Sequence, residues 1–110
     1  MPKRYHVYIM GSASGVLYIG STSDLFRRVW QHRVDWYHGF SGRYRVDRLL
    51  YFEEQGSAAA MVQRERAMKG WVRKRKVALI EAQNAGWRDL AASWFKNDPS
   101  QGPRGRGGGK

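Results

Sequence analysis

The start of the chain alternates apolar, aromatic and polar residues in a way that predicts a β-hairpin. Residues 5–10, YHVYIM, are rich in the aromatic and β-branched side chains that favour a strand. The segment GSASG at 11–15 is typical of a turn, and VLYIG at 16–20 predicts a second strand. The two strands therefore form an antiparallel hairpin whose loop is longer than the tightest type.

A helical pattern follows the hairpin. The sequence STSD is typical of a helix start, where the hydroxyl of Thr22 or Ser23 caps exposed backbone N–H groups. Apolar residues then recur every three or four positions and predict a helix over residues 24–33: Leu25, Phe26, Val29 and Trp30. Residues 34–47 contain two glycines and predict a loop.

The second half of the chain predicts one more strand and two longer helices. RLLYFEE at 48–54 has a strand pattern, and Ser57 then offers a start for an alanine-rich helix over 58–69. Gly70 interrupts this helix, and a further helix is predicted over 71–84. Its apolar contributors are Trp71, Val72, Leu79 and Ile80.

The C-terminal part divides into a docking segment and a tail. WRDLAASWF at 87–95 predicts a short helix or turn that docks on the core through Trp87, Leu90, Trp94 and Phe95. From residue 96 the chain is rich in Gly and Arg and lacks an apolar anchor, so 96–110 is predicted to be a disordered basic tail. We therefore predict one α/β domain over 1–95, with a three-stranded antiparallel sheet flanked by helices.

Charge is the strongest compositional signal. Lysine and arginine number 20 against 9 acidic residues, which gives a net charge of +11 with histidine neutral. A surface this basic attracts polyanions, of which nucleic acid is the commonest, although a merely basic soluble protein is the alternative. No basic amphipathic helix with a broad apolar face stands out, so a membrane surface is not the expected partner.

Two absences narrow the class of protein further. The sequence contains no cysteine, which excludes a disulfide framework and thiolate metal sites. No signal peptide and no membrane-spanning segment is visible in it. Both observations suit a reducing compartment, and we expect a cytoplasmic location.

Several chemically capable side chains are predicted to lie close together. Arg28 and His32 are four residues apart and share one face of the predicted helix. If Tyr8 and Tyr18 occupy paired strands, two phenols meet near the N-terminus of that helix. Taken singly, each residue has a simpler explanation: tyrosines pack in strands, arginines lie on solvated helix faces, and Glu65 forms an i,i+4 pair with a lysine.

The order of these residues resembles that of the GIY-YIG nuclease superfamily. The tripeptide YIG at 18–20 matches the second half of the family name, and the degenerate first half, HVY at 6–8, keeps its tyrosine. The resemblance extends over residues 5–80 and is closest to small single-domain bacterial members. It is carried by VYIM at 7–10, YIGSTSDLFRRVWQH at 18–32 and RERAMKGW at 64–71.

The resemblance implies a role for each of five residues. Tyr8 matches the tyrosine proposed as general base, with Tyr18 as its partner phenol. Arg28 would neutralise charge on the scissile phosphate, and His32 would orient groups or relay protons. Glu65 would be the single protein ligand of a divalent ion, Mg²⁺ or Mn²⁺, whose other ligands are waters and phosphate oxygens.

The implied function is metal-dependent endonucleolytic cleavage of DNA, at branched or damaged sites. A non-catalytic nucleic-acid-binding module on the same scaffold, or a basic protein-interaction adaptor, remains open. The chain departs from some relatives in carrying Ser21, where they have a lysine, directly after the YIG glycine. The side chains predicted to contact nucleic acid are Arg27, Arg33, Lys69, Arg73, Lys74, Arg75 and Lys76.

Overall fold

A computed structural model describes residues 3–37 and 46–95, with the backbone alone for 35–37. The predicted tail, 96–110, and the central part of the predicted loop, 38–45, lie outside these residues. The elements in chain order are β1 (Tyr5–Gly11), β2 (Leu17–Thr22), α1 (Leu25–Tyr37), β3 (Arg48–Gln55), α2 (Ala58–Lys69) and α3 (Arg73–Gln83). The predicted α/β class and three-stranded antiparallel sheet are confirmed.

The strands form one antiparallel sheet in the order β2-β1-β3. The central strand β1 is buried from Val7 to Gly11, as the dense run of apolar residues predicts. Ile9 pairs with Tyr51 and Met10 pairs with Leu49, which leaves Leu50 as the extra residue of a β-bulge. Leu49 enters the core on one face of the sheet, and the bulge places the two successive residues Leu50 and Tyr51 together in the core on the other face.

Each face of the sheet is covered by different elements. On one face, α1 and the C-terminal residues pack over side chains that include Tyr8, Met10 and Leu49. On the other face, α2 and α3 pack over side chains that include Val7, Ile9 and Leu50. The alternation of side chains along β1 distributes its residues between the two cores. Strand alternation therefore decides which functional side chains of β1 and β2 lie on the same face of the sheet.

Side chains of the segment after α3 form hydrogen bonds with the backbone at the start of β3. Asn84 is buried, and its amide nitrogen donates hydrogen bonds to the backbone oxygens of Leu50 and Arg88, at 3.0 and 2.9 Å. The carboxylate of Asp89 accepts from the backbone N–H of Leu49 at 3.0 Å. These side chains satisfy backbone groups at the outer edge of an edge strand, where no further strand pairs.

Several local predictions differ from the structure. The N-cap of α1 is Asp24, whose carboxylate accepts the N–H of Arg27 at 3.1 Å; of the two predicted residues, Thr22 accepts the N–H of Asp24 at 3.0 Å, just before the helix. The helix continues to Tyr37, beyond the predicted end at 33, because the next glycine is Gly39 and no proline intervenes.

Two predicted apolar anchors are exposed. Val72 was expected inside a helix over 71–84, yet α3 begins at Arg73 and Val72 precedes it with 72% of its surface exposed. Leu90 is also exposed, whereas Phe95 is buried and Trp87 and Trp94 pack against the two cores. The docking of the C-terminal segment thus rests on its aromatic residues. Within the described residues, no helix is both long and apolar enough to cross a membrane.

Candidate active site

A buried tyrosine, a histidine and a second tyrosine form the centre of the site. The hydroxyl of Tyr8 lies 3.1 Å from Nε2 of His32 and is hydrogen-bonded to it. The ring of Tyr18 lies 5.0 Å from the His32 ring and 6.4 Å from the Tyr8 ring, centroid to centroid. Tyr8 is fully buried and Tyr18 is 38% exposed, so the cluster opens to solvent at Tyr18.

Strand register and helix periodicity bring these three side chains together. Tyr8 pairs with Gly20, and Tyr18 pairs with Met10, the residue two positions after Tyr8. Both phenols therefore point to the face covered by α1. His32 follows Leu25 by two helical turns and is buried on the same side of α1. The tyrosines thus meet the middle of α1, and the prediction that they lie near its N-terminus is wrong.

Gly20 makes room for the Tyr8 side chain. A Cβ atom at this position would lie 2.5 Å from the Tyr8 hydroxyl oxygen and 2.7 Å from its Cζ. These distances are far shorter than van der Waals contact, so only glycine lets the phenol lie across β2 toward His32. The YIG motif names Gly20 but does not indicate this role, although a glycine inside a strand is itself a signal of close approach.

Arg28 lies one helical turn before His32 and interacts with the Tyr8 phenol. Its guanidinium donates to Oε1 of Gln31 at 3.3 Å, which ties it along the helix. Burial raises the pKa of the Tyr8 phenol well above its usual value, and the charge and hydrogen bonding of Arg28 oppose this rise only in part. Tyr8 therefore keeps its phenolic proton in the free protein.

Glu65 lies on α2, which covers the face of the sheet opposite to α1, and contacts β2 at Ser21. Its Oε1 accepts a hydrogen bond from the Ser21 hydroxyl, and its Oε2 lies 2.7 Å from Nζ of Lys69. Burial favours the neutral carboxyl, but the hydrogen bonds from Lys69 and Ser21 outweigh it and lower the pKa of Glu65. Glu65 is therefore ionised, and its charge acts on Tyr8. The contact from Ser21 was not predicted.

The donor set around Glu65 fits a hydrated hard cation. No cluster of three or more His, Cys, Asp or Glu side chains occurs in the part of the chain that the structure describes. An ionised carboxylate suits Mg²⁺ or Mn²⁺, which keep several water ligands and bind phosphate oxygens directly. Glu65 is accordingly the residue that would hold such an ion.

The predicted nucleic-acid contacts are not all in one place. Arg27 and Lys69 are exposed on either side of the site. On α3, Arg73, Lys74 and Arg75 are exposed and Lys76 is partly buried. The guanidinium of Arg75 lies over the Trp71 ring, 3.9 Å from its centroid.

Arg33 points away from the catalytic cluster. Its guanidinium forms a 2.5 Å ion pair with Asp89 and lies over the Phe95 ring, 5.0 Å from its centroid. The structure therefore uses Arg33 to hold the C-terminal segment against α1. Asp89 is 56 residues away in the sequence, so helical spacing carried no signal of this contact.

Comparison with known proteins identifies the family of this chain. The family model described as the GIY-YIG catalytic domain matches residues 4–78. The chain belongs to the GIY-YIG family. The matched region includes the hairpin, α1, β3, α2 and the start of α3, and hence Tyr8, Tyr18, Arg28, His32 and Glu65.

Two relatives of this GIY-YIG protein are small bacterial proteins. A UPF0213 protein from Bacillus pumilus (strain SAFR-032) is 31% identical over 77 residues, which span 70% of this chain and 79% of the relative. The solution NMR structure of the UPF0213 protein from Bacillus halodurans is similar with a TM-score of 0.51 and 22% identity, covering 82% of this chain and 97% of that one. The second comparison supports the fold.

Proposed function

We propose that this GIY-YIG protein is a divalent-metal-dependent endonuclease that hydrolyses DNA phosphodiester bonds. The observation that carries the proposal is the buried hydrogen bond from Tyr8 to His32, placed beside Arg28 and within electrostatic reach of Glu65. Gly20 in the next strand makes room for the Tyr8 hydroxyl, which lets the phenol reach His32. Membership of a nuclease family supports the same assignment.

Tyr8 and His32 together supply the base. Because burial raises the pKa of Tyr8, this residue does not begin the reaction as a phenolate. The phenolic proton passes instead to Nε2 of His32 while the Tyr8 oxygen takes a proton from the attacking water. An imidazole nitrogen accepts a proton readily at neutral pH, which makes the relay feasible where a lone phenol would be a poor base.

The remaining residues stabilise the negative charge that develops on the phosphate and the leaving oxygen. Arg28 neutralises the charge that builds on the phosphate, since a guanidinium presents two N–H groups to two phosphate oxygens. Tyr18, whose ring packs against those of Tyr8 and His32 at the exposed side of the cluster, would hydrogen-bond into the same network when substrate binds. Glu65 would hold the Mg²⁺ or Mn²⁺ ion, whose chemistry when bound is to stabilise the phosphate and the leaving 3′-oxygen.

The basic surface draws the substrate to this site. Exposed cations near the site and along α3 contact the phosphate backbone, which makes affinity dependent on salt. The same cations equally suit a non-catalytic nucleic-acid-binding module, which is the competing function. That module would have no need of Tyr8, Arg28 and Glu65 around one point.

A panel of end-labelled DNAs separates the two functions. Linear duplex, single-stranded, nicked, flapped and branched DNAs are incubated with the protein in Mg²⁺, Mn²⁺ or EDTA. The nuclease cuts at least one of them in the presence of a divalent ion and none in EDTA. A binding module shifts the same DNAs in a gel, with an affinity that falls with salt, and cuts none.

A further inference from the structure

Both oxygens of the Glu65 carboxylate are already occupied in the structure. Ser21 donates its hydroxyl hydrogen to Oε1, and the Lys69 ammonium lies 2.7 Å from Oε2. A divalent ion that binds the Glu65 carboxylate directly must therefore compete with the Lys69 ammonium. Two cations on one oxygen repel each other, so the ammonium must leave Oε2 before the ion can bind there.

The two contacts differ in how easily they break. Ser21 is on β2 and Glu65 is on α2, so their hydrogen bond joins two packed elements across 44 positions of sequence. Lys69 lies one turn after Glu65 on the same helix, and its side chain is 54% exposed. Exposed i,i+4 ion pairs are weak because water screens them and the lysine side chain loses conformational freedom. Lys69 is the partner that leaves.

The position of Lys69 also indicates where its ammonium goes. It interacts electrostatically with Tyr18, the exposed member of the phenol cluster. A DNA phosphate that approaches Glu65 would also approach the Lys69 ammonium, which lies 2.7 Å from Oε2. The ammonium that leaves Glu65 therefore finds a second anion close by.

We propose that Lys69 is a positioning residue that neutralises and orients Glu65 in the free protein and transfers to a DNA phosphate when a divalent ion binds. The proposal rests on the assignment of Glu65 as the metal ligand. The divalent ion and DNA then favour each other's binding. A DNA phosphate draws Lys69 away from Glu65 and so frees Oε2 for the ion, and a bound ion releases Lys69 to contact the phosphate. By thermodynamic linkage the effect is reciprocal.

Mn²⁺ titrations followed by NMR test this exchange without requiring cleavage. Paramagnetic broadening of the backbone amide signals of Ser21 and Glu65 reports Mn²⁺ affinity in the wild type, in Lys69→Met and in Arg66→Met. The control removes an exposed positive charge that acts on Glu65 through space and forms no hydrogen bond with it in the structure. Methionine suits a helix about as well as lysine or arginine, so α2 persists in both variants.

Lys69→Met is expected to bind Mn²⁺ roughly two- to fivefold more tightly than wild type, the range expected when a weak exposed ion pair stops competing. Arg66→Met gives a smaller gain because it removes charge without freeing an oxygen. Lys69→Arg restores an affinity close to wild type. Equal gains for Lys69→Met and Arg66→Met would overturn the exchange and leave only a general effect of charge.

A second titration contains a short phosphorothioate DNA duplex, which resists cleavage. The duplex is expected to increase Mn²⁺ affinity more in wild type than in Lys69→Met, because only the wild type has an ammonium to transfer. An equal effect of the duplex in both proteins would overturn the transfer to phosphate. Failure of Mn²⁺ to broaden Ser21 and Glu65 in any variant would instead overturn the assignment of Glu65 as metal ligand, and with it the proposed function.

Discussion

The hydroxyl of Tyr8 is hydrogen-bonded to Nε2 of His32 at 3.1 Å, although 24 residues separate them in the sequence. One residue lies on the central strand and the other on the helix that covers it, so the contact depends on the packing of α1 against the sheet. Burial keeps the phenol protonated, and in the proposed mechanism the imidazole accepts its proton. This pairing is the basis of the catalytic predictions.

Tyr8→Phe removes the hydroxyl and keeps the ring that packs in the core. We expect the cleavage rate to fall by roughly 10²- to 10⁴-fold, the range for loss of a general base, with thermal stability almost unchanged. Single-turnover rates on the best DNA of the panel provide the measurement. Tyr5→Phe on the same strand is the matched control and should cleave normally. A Tyr8→Phe protein that cuts as fast as wild type would exclude Tyr8 as the base.

Gly20→Ala introduces a Cβ atom against the Tyr8 phenol. We expect it to displace the phenol, to lower the free energy of unfolding by about 1–3 kcal/mol, as overpacking does, and to reduce cleavage strongly. Gly56→Ala is the control, because a Cβ there meets nothing within 4 Å. Thermal unfolding and cleavage assays measure both effects. Equal stability and equal cleavage rates of the two variants would show that the Tyr8 phenol can move aside without loss of stability or activity.

Arg28→Ala should impair cleavage far more than Arg27→Ala. Both changes remove one positive charge from α1 and weaken long-range attraction of DNA equally. Only Arg28 acts on Tyr8, and loss of a fixed contact to transition-state charge costs roughly 10²- to 10³-fold in rate. Rates at saturating DNA distinguish the two arginines. Similar, modest losses for both would mean that α1 provides only a basic surface.

Glu53 joins β3 to α2 and is expected to contribute stability that depends on pH. Its carboxylate accepts from Nε of Arg64 at 2.7 Å and from the Tyr51 hydroxyl at 2.6 Å. Burial raises the pKa of Glu53, but these hydrogen bonds outweigh burial and lower it overall. A lowered pKa in the folded state stabilises the protein above the pKa of the unfolded chain, about 4.3, and this stability is lost as pH falls through the folded value.

Glu53→Gln should therefore lower the unfolding free energy at pH 7 by about 1.5–3 kcal/mol, the usual contribution of a hydrogen bond to a charged group. The difference from wild type should narrow as the pH is lowered below about 4, where the unfolded carboxylate takes up protons. Thermal unfolding at pH 7 and pH 3 is the measurement, with the exposed neighbour Glu54→Gln as control. A difference that stays constant with pH would show that the charge of Glu53 is not involved.

The order and type of the elements were predictable because their signals are local. Alternation specified the strands, three-to-four spacing specified the helices, and Ser57 caps α2 by accepting the N–H of Ala60 as its position indicated. Helix α1 extends beyond its predicted end because no breaker lies within it, whereas the prediction ended it where the apolar spacing faded. Boundaries depend on capping and packing that periodicity describes only loosely.

The site was predictable only as a set of residue types in order. Strand alternation predicts that Tyr8 and Tyr18 share a face. The need for a glycine at position 20 depends instead on the strand register, which places the Tyr8 phenol over that residue of β2. The hydrogen bond of Ser21 to Glu65 and the ion pair of Arg33 with Asp89 join residues distant in sequence. Only tertiary packing decides such partners, so no spacing rule reveals them.

The most direct test of the account is a comparison of wild type with Glu65→Gln on a cleavable DNA in Mn²⁺ and in EDTA. Glutamine keeps the size of the side chain and removes the charge that would hold the metal. Wild type should cut in Mn²⁺ and not in EDTA, whereas Glu65→Gln should bind the DNA at least as tightly and cut no faster than the EDTA control. Cleavage by Glu65→Gln at the wild-type rate, or by wild type in EDTA, would contradict a metal-dependent nuclease centred on Glu65.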